Sequence, residues 1–123
     1  MNTGTRVLVV DDEPLLLSSL RRLLARARPD IIVVYASSAQ AAEWQLESTS
    51  LRFVMTDLRM HADAQAGLRV VKAARAAQVP VAVVTSAMPH EIDALSLDGV
   101  EVIPKAALSA EVLGELLQRA FAQ

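Results

Sequence analysis

The sequence contains no cysteine, one tryptophan, one tyrosine, two phenylalanines and four glycines. Without cysteine there is no disulfide, no thiol nucleophile and no thiolate-held zinc, which fits a reducing compartment. Aromatic residues make up 3% of the chain, too few to build a surface on which nucleobases stack. Nor is there an excess of positive charge. Twelve Lys and Arg against fourteen Asp and Glu leave a formal net charge of −2, which gives no bulk attraction to nucleic acid. The apolar run near the start, Val7 to Val10, is too short for a signal peptide or a membrane span. No later segment approaches the roughly 18 uninterrupted apolar residues that a span needs. The expectation is a cytoplasmic domain that binds neither nucleic acid nor membrane directly.

What the chain does have is core material. Of its 123 residues, 53% are hydrophobic, which suits one domain over 1–123 with no separate output domain. Short, β-branched apolar runs recur at 7–10, 31–35, 53–55, 81–84 and 100–103. They are near-continuous rather than alternating, as in strands covered on both faces of a parallel sheet. Segments with helical spacing lie between them. Leu16, Leu20, Leu23, Leu24 and Ala27 share one face of a first helix, with Pro14 in its first turn, where no amide hydrogen is needed. Ala39, Ala42 and Leu46 mark a second helix, capped by Ser37 or Ser38, and Leu68, Val71, Ala74 and Arg75 mark a third. A weaker fourth runs from Pro89 to Leu97 and closes at Asp98-Gly99. Val112, Leu116, Leu117 and Ala120 mark a fifth, with Ser109 as cap and Glu111 in the first turn. Five repeats of strand then helix predict a doubly wound (βα)5 α/β domain with a five-stranded parallel sheet.

Ligands in such folds bind beyond the carboxyl ends of the strands. The first strand ends there in Asp11, Asp12 and Glu13, the third in Asp57, the fourth in Thr85 and Ser86, and the fifth in Lys105. Alone, each is ordinary: an acidic pair or a Thr-Ser after a strand is usually a helix cap, and a single Lys is usually solvated surface. Together, at one sheet edge, they form a coherent set. Crowded carboxylates repel one another, and a hard divalent cation such as Mg²⁺, or Mn²⁺ in its place, relieves that repulsion. The hydroxyl and the ammonium suit phosphoryl oxygens, and Asp57 suits a nucleophile that forms an aspartyl phosphate.

With these residues in view, the chain resembles the receiver domains of the two-component response regulators from Arg6 to Phe121. "VLVVDDEP" matches the typical opening, "DLRM" the phosphoacceptor segment, "PVAVVTSA" the fourth strand and "VIPKA" the lysine strand. The resemblance implies the flavodoxin-like strand order 2-1-3-4-5. It implies that Asp57 accepts a phosphoryl group from the phosphohistidine of a sensor histidine kinase or phosphotransfer protein, or from a small phosphodonor. Asp12, Asp57 and the backbone carbonyl of Arg59 would hold Mg²⁺, with Asp11 acting through water. Thr85 and Lys105 would bind phosphoryl oxygens. The domain would catalyse its own aspartyl phosphorylation and dephosphorylation without being a separate enzyme. It would switch a surface for an effector domain, a partner protein or a second copy in a homodimer.

The sequence departs from that family in particular places. His61 follows Met60 where a proline is common, and about two extra residues precede Gly67. His61 is read as an exposed residue before it is read as a contact for a partner or metal. Ala106 follows Lys105 where a cis-proline is common, so a trans bond is expected. Val102 stands at the family's aromatic switch position, and the fourth helix region is about one residue short. Leu15 and Leu17 flank the buried stripe of the first helix, either as a kinase-docking edge or as ordinary packing. Glu13 is read as a helix-start residue outside the chemistry. Two other readings compete. One is a phosphate-independent receiver that acts as an interaction module. The other is a haloacid-dehalogenase-like phosphohydrolase, which the position of Asp57 on the third strand and the lack of a cap domain disfavour. Flavin binding lacks a phosphate-cradling loop after the first strand.

Overall fold

The computed structural model describes residues 4–93, 97 and 99–122, with backbone only at 90 and 93. The β-branched runs form β1 (Thr5–Val10), β2 (Ile31–Ala36), β3 (Phe53–Thr56), β4 (Val81–Thr85) and β5 (Glu101–Pro104). All pair in parallel, in the order β2-β1-β3-β4-β5. The helices are α1 (Pro14–Ala27), α2 (Ala39–Ser48), α3 (Ala66–Ala76), the short α4 (Pro89–Asp93) and α5 (Ala110–Phe121), with one 3₁₀ turn at Lys105–Ala107. No described helix is long and apolar enough to cross a membrane.

Alternation along each strand divides the core. Val7, Val9, Phe53, Met55, Ala82, Val84 and Ile103 face α1 and α5, where they meet Leu20, Leu24, Leu113, Leu116 and Leu117. Leu8, Val10 and Val54 face the opposite layer and meet Ala39 and Ala42 of α2 and Ala66, Val70 and Ala74 of α3. A smaller cluster beneath α4 joins Leu58, Val71 and Val83 to Ile92 and Val102. Burial on both faces accounts for the continuous apolar runs of β1, β3 and β4. β2 departs from that expectation: it pairs only with β1, and Ile32 and Tyr35 are 40% and 36% exposed at the open edge.

The helix starts follow their sequence signals. Pro14 occupies the first turn of α1, and the Ser38 hydroxyl, not that of Ser37, accepts the Ala41 amide at 3.1 Å to cap α2. Ser109 caps α5 by accepting the Val112 amide at 3.1 Å. Two helical faces are rotated slightly from expectation. On α3 the buried positions include Val70, while Arg75 is exposed, and on α5 Leu113 is buried where Val112 is only half-buried. The described part of α4 is five residues long; residues 94–96 and 98 of the expected fourth helix and its closing turn lie outside the described residues. Gly99, at φ +78, adopts the left-handed conformation expected after a helix end.

Gly67 is where the fold presses hardest on the third strand's exit. Its amide donates to the Leu58 carbonyl at 2.8 Å. A Cβ there would collide with the Asp57 carbonyl oxygen and sit 2.5 Å from Leu58 Cα, both of them backbone atoms that cannot swing aside. Gly67→Ala is therefore expected to destabilise the domain by about 2 kcal/mol or more and to displace the segment carrying Asp57. Denaturant unfolding checks this, and a variant as stable as the parent would contradict the close approach.

Candidate functional site

The backbone ladder runs past the strand ends and holds the acidic residues in place. The Asp11 amide donates to the Ala36 carbonyl at 3.1 Å, and the Asp57 amide to the Val10 carbonyl at 3.0 Å. Thr85 is in register with Pro104, so Lys105 leaves β5 beside the end of β4. Four strands thus deliver their terminal residues to one cleft of about 630 Å³, lined by Asp12, Asp57, Arg59, His61, Thr85 and Lys105 among others. From the loop after the second strand, the Ser37 carbonyl meets the ring of His61.

At the centre lies the Lys105 ammonium. It stands 3.0 Å from Asp57 Oδ2, 3.3 Å from Glu13 Oε1 and 3.4 Å from Asp11 Oδ2. Asp57 is further held by the Leu58 amide, which donates to its Oδ1 at 2.7 Å. Asp11 Oδ1 accepts the Glu13 amide at 2.9 Å. Asp11, Asp57 and Thr85 are buried, at 2%, 8% and 3% exposure, while Asp12 is only half-buried. The Thr85 hydroxyl accepts the Ala87 amide at 3.0 Å, which places its oxygen at the cleft wall.

Electrostatics follow from this packing. Burial pushes the Asp11 carboxyl above its ordinary 3.8, and the Asp57 charge adds to the rise; the Glu13 amide and the Lys105 ammonium only partly offset it. Burial opposes the charge on Lys105, but its bond to Asp57, the charges of Asp57 and Asp11, and its bond to Glu13 outweigh that and push its pKa up to about 12. One ammonium is shared among acids that outnumber it, so the edge keeps an unneutralised negative charge.

The oxygen-only donors fit a hard divalent cation. Asp11, Asp12 and Asp57 offer carboxylates, and no described residue donates to the carbonyl of Arg59 or to Asp12 Oδ1. Among the described residues no three acidic or imidazole groups already converge on one point, so waters would complete such a shell.

Several features were not read from the sequence. Glu13 does precede α1, but its carboxylate reaches Lys105 rather than standing outside the site. The buried Thr56 hydroxyl donates to the Asp57 carbonyl at 2.9 Å. Glu91 Oε1 accepts the Met88 amide at 3.2 Å at the start of α4, beside the cleft. A third acid in succession was the available signal for Glu13; the other two are local bonds, between neighbours and across one helical turn, set by side-chain rotamers that the residue pattern does not specify. His61 is exposed, as expected, yet it is bonded at two points: its amide donates to Asp12 Oδ2 at 2.7 Å, and its Nε2 lies 2.8 Å from the Ser37 carbonyl. The peptide bond after Lys105 is trans, as are all described bonds. Val102 is half-buried and packs on the cluster of Leu58, Val71 and Val83, as does Ile92. Leu15 is 84% exposed, whereas Leu17 packs on the α1–α5 core, so only one of the pair forms an apolar outer edge.

Residues 7–117 match the family model described as the response regulator receiver domain. No curated protein matches the sequence. Among solved structures, a response regulator receiver protein from Pseudomonas putida is 27% identical, with a TM-score of 0.78 over 97% of this chain and 99% of that one. A response regulator from Thermotoga maritima is 18% identical, with a TM-score of 0.79 over 98% and 99% of the two chains. The RcsB response regulator of Salmonella typhimurium is 23% identical, with a TM-score of 0.77 over 97% of this chain and 60% of its own. The last two, at their low identity, support the fold alone.

The raised pKa of Asp11 sets a pH dependence for the metal-free protein. Its folded value exceeds its unfolded one, so its stabilising contribution is complete below pH 3.8 and is lost as pH rises through the folded value. At neutral pH the ionised carboxylate weakens the fold. Asp11→Asn, which keeps an oxygen for the Glu13 amide, is expected to raise the melting temperature at pH 7 in chelator by a few degrees, the gain shrinking toward pH 3.8. A lower melting temperature at pH 7 would contradict this electrostatic picture.

Proposed function

Because the chain belongs to the response regulator receiver domain family, we propose that it is a phosphoacceptor switch of a two-component or phosphorelay system, in which Asp57 takes a phosphoryl group from a sensor histidine kinase or phosphotransfer protein. The observation that carries this reading is the convergence of Asp12, Asp57, Thr85 and Lys105 from four strand ends on one cleft, with the buried Asp11 carboxylate 3.4 Å from the Lys105 ammonium. Nothing in the fold alone would require these five side chains to meet.

The chemistry follows from the positions of the groups. A carboxylate oxygen of Asp57 attacks phosphorus as the bond from phosphorus to the donor imidazole nitrogen breaks, and the imidazole leaves with that electron pair. The Leu58 amide and the Lys105 ammonium hold the Asp57 carboxylate before attack. Lys105 is already charged at neutral pH, and it can shift from carboxylate to phosphoryl oxygen without gaining or losing a proton. The Thr85 hydroxyl keeps its proton for donation to a phosphoryl oxygen, since its bond to the Ala87 amide uses only its oxygen. Asp11, Asp12, Asp57 and the Arg59 carbonyl would hold Mg²⁺, or Mn²⁺ in its place, which when bound neutralises charge developing on the transferred group. Hydrolysis of the aspartyl phosphate in the same cleft would reset the switch, so the domain catalyses its own cycle and is not a separate enzyme.

The output follows a different route from the one an aromatic at position 102 would provide. Val102 lies in the small cluster with Val83, Leu58 and Ile92, so a shift of Thr85 would reach α4 through aliphatic packing. The partners proposed are the phosphodonor protein, docking near the exposed Leu15, and an effector domain, a partner protein or a second copy on the switched face. The location proposed is cytoplasmic. A phosphate-independent interaction module is the second reading, supported by Val102 and by the His61 loop, and opposed by retention of all five site residues.

Incubation with Mg²⁺ and acetyl phosphate, followed by intact mass measurement, separates the two readings. One phosphoryl adduct is expected on the parent protein, none on Asp57→Asn, and a slower gain on Lys105→Met, about a hundredfold or more. An adduct that persists in Asp57→Asn, or none on the parent, would overturn the assignment.

A further inference from the structure

We propose, resting on the receiver reading, that His61 is a positioning residue that arches over Asp12 and pins its carboxylate for the cation. The strand order places the end of β1 between the ends of β2 and β3. A residue after β3 that reaches the loop after β2 must therefore pass over whatever β1 delivers, which is Asp12. His61 makes that crossing. Its amide donates to Asp12 Oδ2 at 2.7 Å, and its Nε2 donates to the Ser37 carbonyl at 2.8 Å on the far side. The carbonyl can only accept, so Nε2 carries a hydrogen in this bond, and Nδ1 lies 4.0 Å from Asp12 Oδ2.

The arch is built into the loop that sets this sequence apart. Met60 and Asp63 exchange both backbone hydrogen bonds, at 3.2 and 2.9 Å, around His61 and Ala62. Both central residues have positive φ, 53° and 61°, a hairpin turn that normally favours Asn or Gly. Non-glycine residues keep such a conformation only where their surroundings over-determine it. In this loop the surroundings are the buried Met60, the Asp63 carboxylate that accepts the Gln65 amide at 2.8 Å, and the two anchors of His61. The effect falls on Asp12. One of its oxygens is held by a short charge-assisted bond, while the other accepts from no described residue. A carboxylate held in this way has lost its rotational freedom before a ligand arrives, which raises affinity for that ligand. The imidazole works through Asp12 and does not itself ligate.

Three variants separate the side-chain strut from the backbone it supports. His61→Ala removes the strut. In His61→Gln, the side-chain amide nitrogen reaches about as far as the imidazole Nε2 and can bond to the Ser37 carbonyl. His61→Asn suits the left-handed backbone but is too short to reach. Two readouts are taken by NMR: hydrogen exchange of the residue-61 amide in metal-free protein, and Mg²⁺ affinity from titration of the backbone amide shifts. His61→Ala and His61→Asn are expected to lose amide protection and to bind Mg²⁺ about three- to tenfold more weakly. His61→Gln is expected to restore both. Parent-like protection and affinity in His61→Ala, or full restoration by His61→Asn, overturns the strut. A parent protein with a protected amide that binds no Mg²⁺ overturns the receiver reading instead, and with it the role of the arch.

Discussion

A single ammonium holds together an edge that would otherwise repel itself. Lys105 sits among Asp11, Glu13 and Asp57, and Asp12 stands beside them. Like charges at this spacing repel one another, and two of the carboxylates, Asp11 and Asp57, are buried. The ammonium eases the repulsion, yet the Asp11 pKa stays raised, chiefly because the carboxyl is buried. One ammonium among several acids would leave the edge receptive to a cation, and a shift of the Lys105 contacts would make it responsive to a phosphoryl group. A fully neutralised edge would be more stable and chemically inert.

The rest of the fold serves to keep these groups in place. Asp11 and Asp57 each sit one residue past the last residue of their strand, where backbone bonds still hold them: Asp11 to Ala36, Asp57 to Val10. Gly67 lets α3 begin against the Asp57 carbonyl, and Thr56 bonds to the same carbonyl from its hydroxyl. The segment carrying Asp57 is therefore supported from the strand, from the helix and from its own preceding side chain. Such support would suit the proposed role of Asp57, in which its orientation decides whether transfer is in line.

The two sides of the cleft are held by different contacts. Toward β2, the Met60–Asp63 turn and His61 tie three loops together. Toward β5, the Thr85 hydroxyl accepts one amide, and Val83, Leu58, Val102 and Ile92 belong to a small aliphatic cluster beneath α4. Small aliphatic side chains can repack with little cost compared with a buried ring, so a signal passed on this side would spread through shape more than through a single rotating group.

Much of this was legible in the residues alone. Continuous β-branched runs marked strands covered on both faces, and Pro14, the pair Ser37 and Ser38, and Ser109 marked helix starts, because propensity and capping act over a few residues. The positions of Asp11, Asp12, Asp57, Thr85 and Lys105 at strand ends followed from the same pattern. Only the tertiary structure decided which acids meet the lysine. Glu13 reads locally as a helix-start residue, yet the turn after β1 carries it to Lys105, 92 positions away. Tertiary structure also decided that β2 is an exposed edge and that His61 passes over Asp12, since both depend on strand order rather than on local sequence. Sequence periodicity specifies what each segment becomes. Which segments become neighbours is decided by how the sheet is assembled, through contacts between residues far apart in the chain.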